Sequence, residues 1–219
     1  MANLELSFLD FKEVDSSFLH IYLKGDGILS HQGYVFMKPN LGDIIFDRIN
    51  ILESLISGEG TNILVKNDVH VNGKIEINGM LESGGEIKTG GSIRAHKIAA
   101  KGKIEAGCDI KSETCISGGS YIISGGNIES SSYIKAIGDV ESGGYIRSDG
   151  DIISGGHIKC GLSLISGFSI NCESYLRVEN RIYAGASTWA DIILDKNKII
   201  SCEKLEKGEI ICGLLRENL

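Results

Sequence analysis

Residues 116–160 read ISGGSYIISGGNIESSSYIKAIGDVESGGYIRSDGDIISGGHIKC. An isoleucine or valine falls at every sixth place, at Ile116, Ile122, Ile128, Ile134, Val140, Ile146, Ile152 and Ile158. Working outward, the column runs back through Ile110 and Ile104 to Ile98, steps by five to Ile93, and continues through Ile87, Leu81, Ile75 and Val69 to Ile63. Forward it reaches Leu164, Ile170, Leu176 and Ile182, giving twenty-one consecutive aliphatic positions with one slip. Two residues after most of them stands a small residue, such as Ser124, Ser130, Ala136, Ser142, Ser148, Ser154, Cys160 or Cys172. The residue between is mostly polar, as at Glu105, Lys111, Glu129, Lys135, Glu141 and Arg147. Such in-out-in alternation marks a short strand, because successive side chains point to opposite faces. Glycine then fills one or both following places, as at Gly125-Gly126, Gly143-Gly144 and Gly155-Gly156, and supplies the positive φ or the crowded conformation that a corner needs.

A unit of six residues cannot bury its own isoleucine. Coiling stacks each isoleucine on the next and makes the core continuous. A helix is excluded, since six is not a multiple of the 3.6-residue turn and paired glycines would cost about 2 kcal/mol per unit. Three units per turn give a coil of about 18 residues rising ~4.8 Å, so Ile63 to Ile182 makes a prism roughly 30 Å long. The expected fold is all-β: a single-stranded, three-sided parallel β-solenoid with a small α+β N-terminal cap and a β C-terminal cap.

The rhythm of "GGSIRA", "KGKIEA", "GGNIES" and "GGYIRS" resembles the bactofilins, bacterial polymer-forming cytoskeletal proteins with a parallel β-solenoid core. The resemblance covers residues 63–184 and implies a subunit that polymerises by end-to-end stacking. The repeat is less similar to that of the left-handed hexapeptide acyltransferases, which place the small residue two before the aliphatic, where Gly85, Gly91, Gly126, Gly144 and Gly156 stand here.

Residues 1–62 lack the repeat and are expected to form an N-terminal cap or small domain. They hold half of the aromatics, at Phe8, Phe11, Phe18, Tyr22, Tyr34, Phe36 and Phe46. The stretch "GDIIFDRINILESLI" carries Ile45, Ile49, Leu52 and Ile56 at helical spacing, with Asp43 as N-cap. Residues 63–186 form the solenoid. Residues 187–219 read as capping strands with turns near Asn197 and Lys207-Gly208, folded back over the last coil to cover its unpaired edge.

Composition bounds the function. Net charge is −7 at pH 7, against the clustered Lys and Arg that phosphate binding needs, so no nucleic-acid partner is expected. No signal peptide and no run of about 18 apolar residues is visible, so neither membrane insertion nor export is expected, and the location expected is cytoplasmic. The six cysteines have no metal-type spacing; Cys160 and Cys172 occupy the small inward column, while Cys108 and Cys115 stand at corners. The five histidines are scattered, with His96 and His157 read as ordinary surface or corner residues, and no nucleophile or phosphate-binding motif is present. No catalytic, cofactor-binding or metal residue is therefore expected, and no cofactor.

What remains is surface. Residues 1–62 hold nine acids against four bases, so most of the net charge lies in under a third of the chain. Asp10, Glu13, Asp15, Asp43 and Asp47 are the candidate docking residues for a basic protein partner. Ile123, Ile153 and Ile165 stand at normally polar positions and are candidates for the edge of an apolar binding patch. The expected function is a non-enzymatic protein-binding solenoid, an immunity protein that neutralises a basic toxin domain, with bactofilin-like self-association as the alternative.

Overall fold

The computed structural model describes residues 18–21, 28–37, 39–186 and 195–217. These form twenty-seven short strands, with no helix among them. Every pairing between strands is parallel, and the repeat unit appears as three-residue strands such as Ile122–Ser124, Ile128–Ser130 and Ile134–Ala136. Each strand pairs with the one three units later, and the chain thereby winds into a three-sided β-solenoid.

Each face has its own stacked column. The first face carries Leu29, Ile49, Val69, Ile87, Ile104, Ile122, Val140, Ile158, Leu176 and Leu205 in successive register. The second runs Val35, Leu55, Ile75, Ile93, Ile110, Ile128, Ile146, Leu164, Ile182 and Ile210. The third runs Ile44, Ile63, Leu81, Ile98, Ile116, Ile134, Ile152, Ile170, Ile200 and Leu215. Nearly all belong to one continuous core. A buried aliphatic side chain contributes about 1.5–3 kcal/mol, so the three columns are the main source of stability. The five-residue step before Ile98 is a single irregularity in register between Ala95 and Lys97, absorbed within the strand Ile93–Ala100.

The solenoid begins well before Ile63. The helix expected from Asp43 through Ile56 is absent: Gly42–Phe46, Arg48–Ile51 and Leu55–Ser57 are strands. Ile45 and Leu52, assigned to the apolar face of that helix, are 45% and 47% exposed, whereas Ile44, Phe46, Ile49, Ile51 and Leu55 are buried. The alternation of two outweighs the spacing of 3.6 because the coil beginning at Ile63 offers an open strand edge that residues 42–57 pair with. Tertiary pairing overrides a local helical pattern in this way. At the other end the expected strands are present, Ile199–Cys202, Lys204–Cys212 and Leu214–Glu217. They coil onward in parallel pairing with Ile170–Cys172, Tyr175–Ala184 and Ile199–Cys202 instead of folding back across the end.

The corners explain the small inward column. The Ser142 hydroxyl lies 2.7 Å from the Gly126 carbonyl one coil earlier and 3.1 Å from the Tyr145 carbonyl, its one proton shared between them, and it accepts the Gly144 N–H at 3.1 Å. Ser124, Ser130, Ser148, Ser154 and Ser166 repeat the arrangement. The column therefore adds a second hydrogen bond to corner carbonyls that already accept backbone N–H groups, as Gly126 does from Gly144 and Tyr145 from Ile128, as well as supplying small volume. Glycine at these corners answers to space. Among the described residues the positive-φ positions are Asn40, Gly42, Gly60, Gly185, Gly208 and Gly213, and Gly125 and Gly143 are not among them.

Candidate functional site

Of the acidic candidates, Asp10, Glu13 and Asp15 lie outside the described residues. Asp43 projects from the strand Gly42–Phe46 and accepts a hydrogen bond from the Asn62 side-chain amide at 2.7 Å. Asp47 is ion-paired with Lys66 at 2.7 Å. The three isoleucines are half-buried and lie on three different faces. Ile123 stands between Glu105 and Glu141 on the first, Ile165 between Arg147 and Tyr183 on the second, and Ile153 between Lys135 and Asn171 on the third. They do not form one patch. Their separations along the chain, 30 and 12 residues, are not multiples of the 18-residue coil, a test the sequence alone supports. By the same arithmetic Tyr121 and Tyr175, 54 residues apart, share one edge, each directly before a first-face column residue.

The outer side of the first face carries a ladder of charge. His70 Nε2 lies 2.5 Å from Glu86 Oε1, and Lys103 Nζ bridges Glu86 at 3.3 Å and Glu105 at 3.0 Å. Lys88 reaches Glu105 at 3.1 Å, and Lys103 lies 5.9 Å from the centre of the Tyr121 ring. Hydrogen bonds from Lys103 and Lys88 hold the Glu105 carboxyl below its ordinary range, and the bond to Glu105 leads those that push the Lys103 ammonium up. Alternating charge at one-coil spacing lets each side chain meet an opposite partner above or below, as cross-strand pairs do. Such exposed pairs contribute little individually.

Further along this face the ladder closes into a cluster. His157 Nδ1 lies 2.9 Å from Asp139 Oδ1, and its Nε2 lies 3.0 Å from Glu141 Oε1. Asp139 Oδ1 also accepts the backbone N–H of His157 at 2.9 Å. The Tyr175 ring stacks on the imidazole with centroids 4.5 Å apart and planes 6° from parallel, and Lys159 stands 3.7 Å from Glu141. Spacing of 18 between positions 139 and 157 brings them to neighbouring rungs, a signal the sequence carries and the scatter of its histidines obscured.

The C-terminal coil is the other distinctive surface. Leu214–Glu217 pairs on one side with Ile199–Cys202, and among the described residues nothing pairs its other edge. All four of its residues are exposed, with Leu214 at 48% and Leu215 at 38%, and Ile211 beside them at 40%. Leu205 and Ile210, the last rungs of the other two columns, are partly buried.

The thiols are set apart by depth. Burial pushes the Cys160 thiol up to about 11 and the Cys172 thiol up to about 12, while Cys108 is exposed. Cys160 Sγ lies 3.3 Å from the Gly144 carbonyl and 3.2 Å from that of Ser163, the place serine takes in neighbouring coils. Cys115, read as a corner residue, is buried. Among the described residues no helix is long and apolar enough to cross a membrane. No protein-family model, curated protein or solved structure matches the chain, so the likeness to bactofilins rests on the repeat.

Proposed function

We propose that this chain is a non-enzymatic scaffold that joins a second copy of itself through its C-terminal coil. The observation that carries this reading is the strand Leu214–Glu217, whose second edge no described residue pairs, with Leu214 and Leu215 exposed in the last described coil. An open strand edge offers a row of N–H and C=O groups, and a second open coil satisfies them while covering the leucines. The charges of that coil favour a like partner. Lys204, Lys207 and Arg216 alternate with Glu203, Glu206, Glu209 and Glu217, close to balance, so two copies can meet without the repulsion that a net −7 chain feels elsewhere.

Light scattering on the parent and on a Leu214→Lys, Leu215→Lys double variant tests the proposal. The parent should assemble with rising concentration and the variant remain monomeric with unchanged circular dichroism. A parent that stays monomeric at high concentration contradicts it. The second reading, an immunity protein that binds a basic toxin domain in the cytoplasm, draws on the acid excess of residues 1–62. It draws less support from geometry, because Asp43 and Asp47 already hold Asn62 and Lys66.

A further inference from the structure

Asp139 and Glu141 flank Val140 on one rung of the first face, and His157 precedes Ile158 on the next. We propose that Asp139, Glu141 and His157 form a binding site for one divalent transition-metal ion of the Zn²⁺ type. One imidazole nitrogen and two carboxylates are a donor set that Zn²⁺ accepts, and three protein ligands leave a further position for water.

The distances suit an ion. One donor atom from each residue lies within 4.8 Å of the others, the one such group of three among the described residues. Donors about 2.0–2.2 Å from a tetrahedral Zn²⁺ stand roughly 3.4 Å apart, so the contraction required is within the reach of side-chain rotation on a fixed backbone. The imidazole is already oriented, 16% exposed and stacked on Tyr175, and Asp139 is pinned by the His157 backbone N–H. Ligands locked by stacking and hydrogen bonds on rigid strands lose little freedom when an ion arrives.

The charge also suits a cation. Two carboxylates converge here, and the cation within ion-pair distance is Lys159, 3.7 Å from Glu141. Two other histidines provide the contrast. His70 meets Glu86, which Lys103 also occupies, and His96 meets Glu113, so neither belongs to a group of three. At the cluster both imidazole nitrogens face a carboxylate; an ion would take one nitrogen and both carboxylates, with the Tyr175 stack keeping the ring in place.

The test is calorimetric titration of the metal-free chain with ZnCl₂, in a Cys108→Ser background that removes the exposed thiol. One equivalent should bind. His157→Ala and Glu141→Gln should each weaken binding about tenfold or more, the lower end of what losing even an outer-shell partner costs, while His70→Ala leaves it unchanged. Zinc should raise the melting temperature of the parent more than that of the two weakened variants at the same concentration. Metal-free melting separates a lost ligand from a lost fold, and Glu141→Gln keeps the side-chain shape. Absence of zinc uptake, or uptake by His157→Ala equal to that of the parent, overturns the site and leaves an ion-paired histidine.

Discussion

A Cβ placed on Gly143 would lie 2.2 Å from the carbonyl oxygen of Gly125 in the coil beneath. The same relation links Gly125 to Gly107, also at 2.2 Å, and Gly161 to Gly143 at 2.1 Å, so one corner of the prism is a ladder of glycines in close approach. Gly143→Val forces the corner apart and should cost about 1–3 kcal/mol, the usual effect of overpacking. Ser131→Val occupies a corner position that already bears a Cβ and should cost less. Thermal melting of the pair checks this, and equal losses would contradict the close-approach role.

Ile128 is fully buried, and Glu129 beside it faces outward, paired with Lys111 at 2.8 Å and hydrogen-bonded by the Tyr145 hydroxyl. Ile128→Asp places an unpaired charge in the core, at a cost of several kcal/mol, and should yield no soluble protein. Glu129→Lys should fold with a modestly lower melting temperature, since it adds a like charge beside Lys111 and Arg147. Soluble expression and a melting curve for each are sufficient, and equal behaviour would overturn the assignment of faces.

Ser154 lies 2.8 Å from the Gly138 carbonyl and 2.9 Å from that of His157. Ser154→Ala removes this hydroxyl while the two carbonyls keep the backbone N–H groups of Gly156 and Val140, so it should cost about 0.5–1.5 kcal/mol. Cys160→Ser should be neutral within error, because the thiol already takes the serine place. Thiol labelling of the native chain at pH 8 should modify Cys108 rapidly, with Cys160 and Cys172 reacting on unfolding, since their thiols titrate at about 11 and about 12.

The repeat made the central coils readable because one rule, a large, an outward and a small residue followed by a corner, holds without a break from Ile98 to Cys172. It lost the first coils because longer corners there break the period, and Ile45 and Leu52 happen to fall on a helical stripe. The partner pairing of Ile44 with Ile63 decides that segment, and no local pattern reports it. The misplaced isoleucines were legible one by one, but their grouping was a matter of position modulo one coil. Histidine 157 was legible as a corner residue. Its two carboxylates come from the coil before, so only the coil length brings them within reach.

Stability should fall in acid. Glu76, held low chiefly by the Lys74 hydrogen bond, Glu105, held low by Lys103 and Lys88, and Glu129, held low by Lys111 and Tyr145 against its own desolvation, all titrate below the ordinary 4.5. A carboxyl whose folded value is depressed stabilises the fold above the unfolded value, and that contribution is lost as pH falls through the folded one. Melting temperature should therefore be level with respect to these groups above about pH 5 and decline below the 4.5 reference. In Glu105→Gln the decline should be shallower, and an unchanged slope would remove this ladder from the cause.

Assembly through the C-terminal coil is tested most directly by hydrogen exchange of residues 214–217 measured at low and high protein concentration. Backbone amides on the open edge should exchange quickly in dilute solution and become protected as concentration rises, with the central coils unchanged. Rapid exchange of that strand at every concentration would contradict the self-joining scaffold.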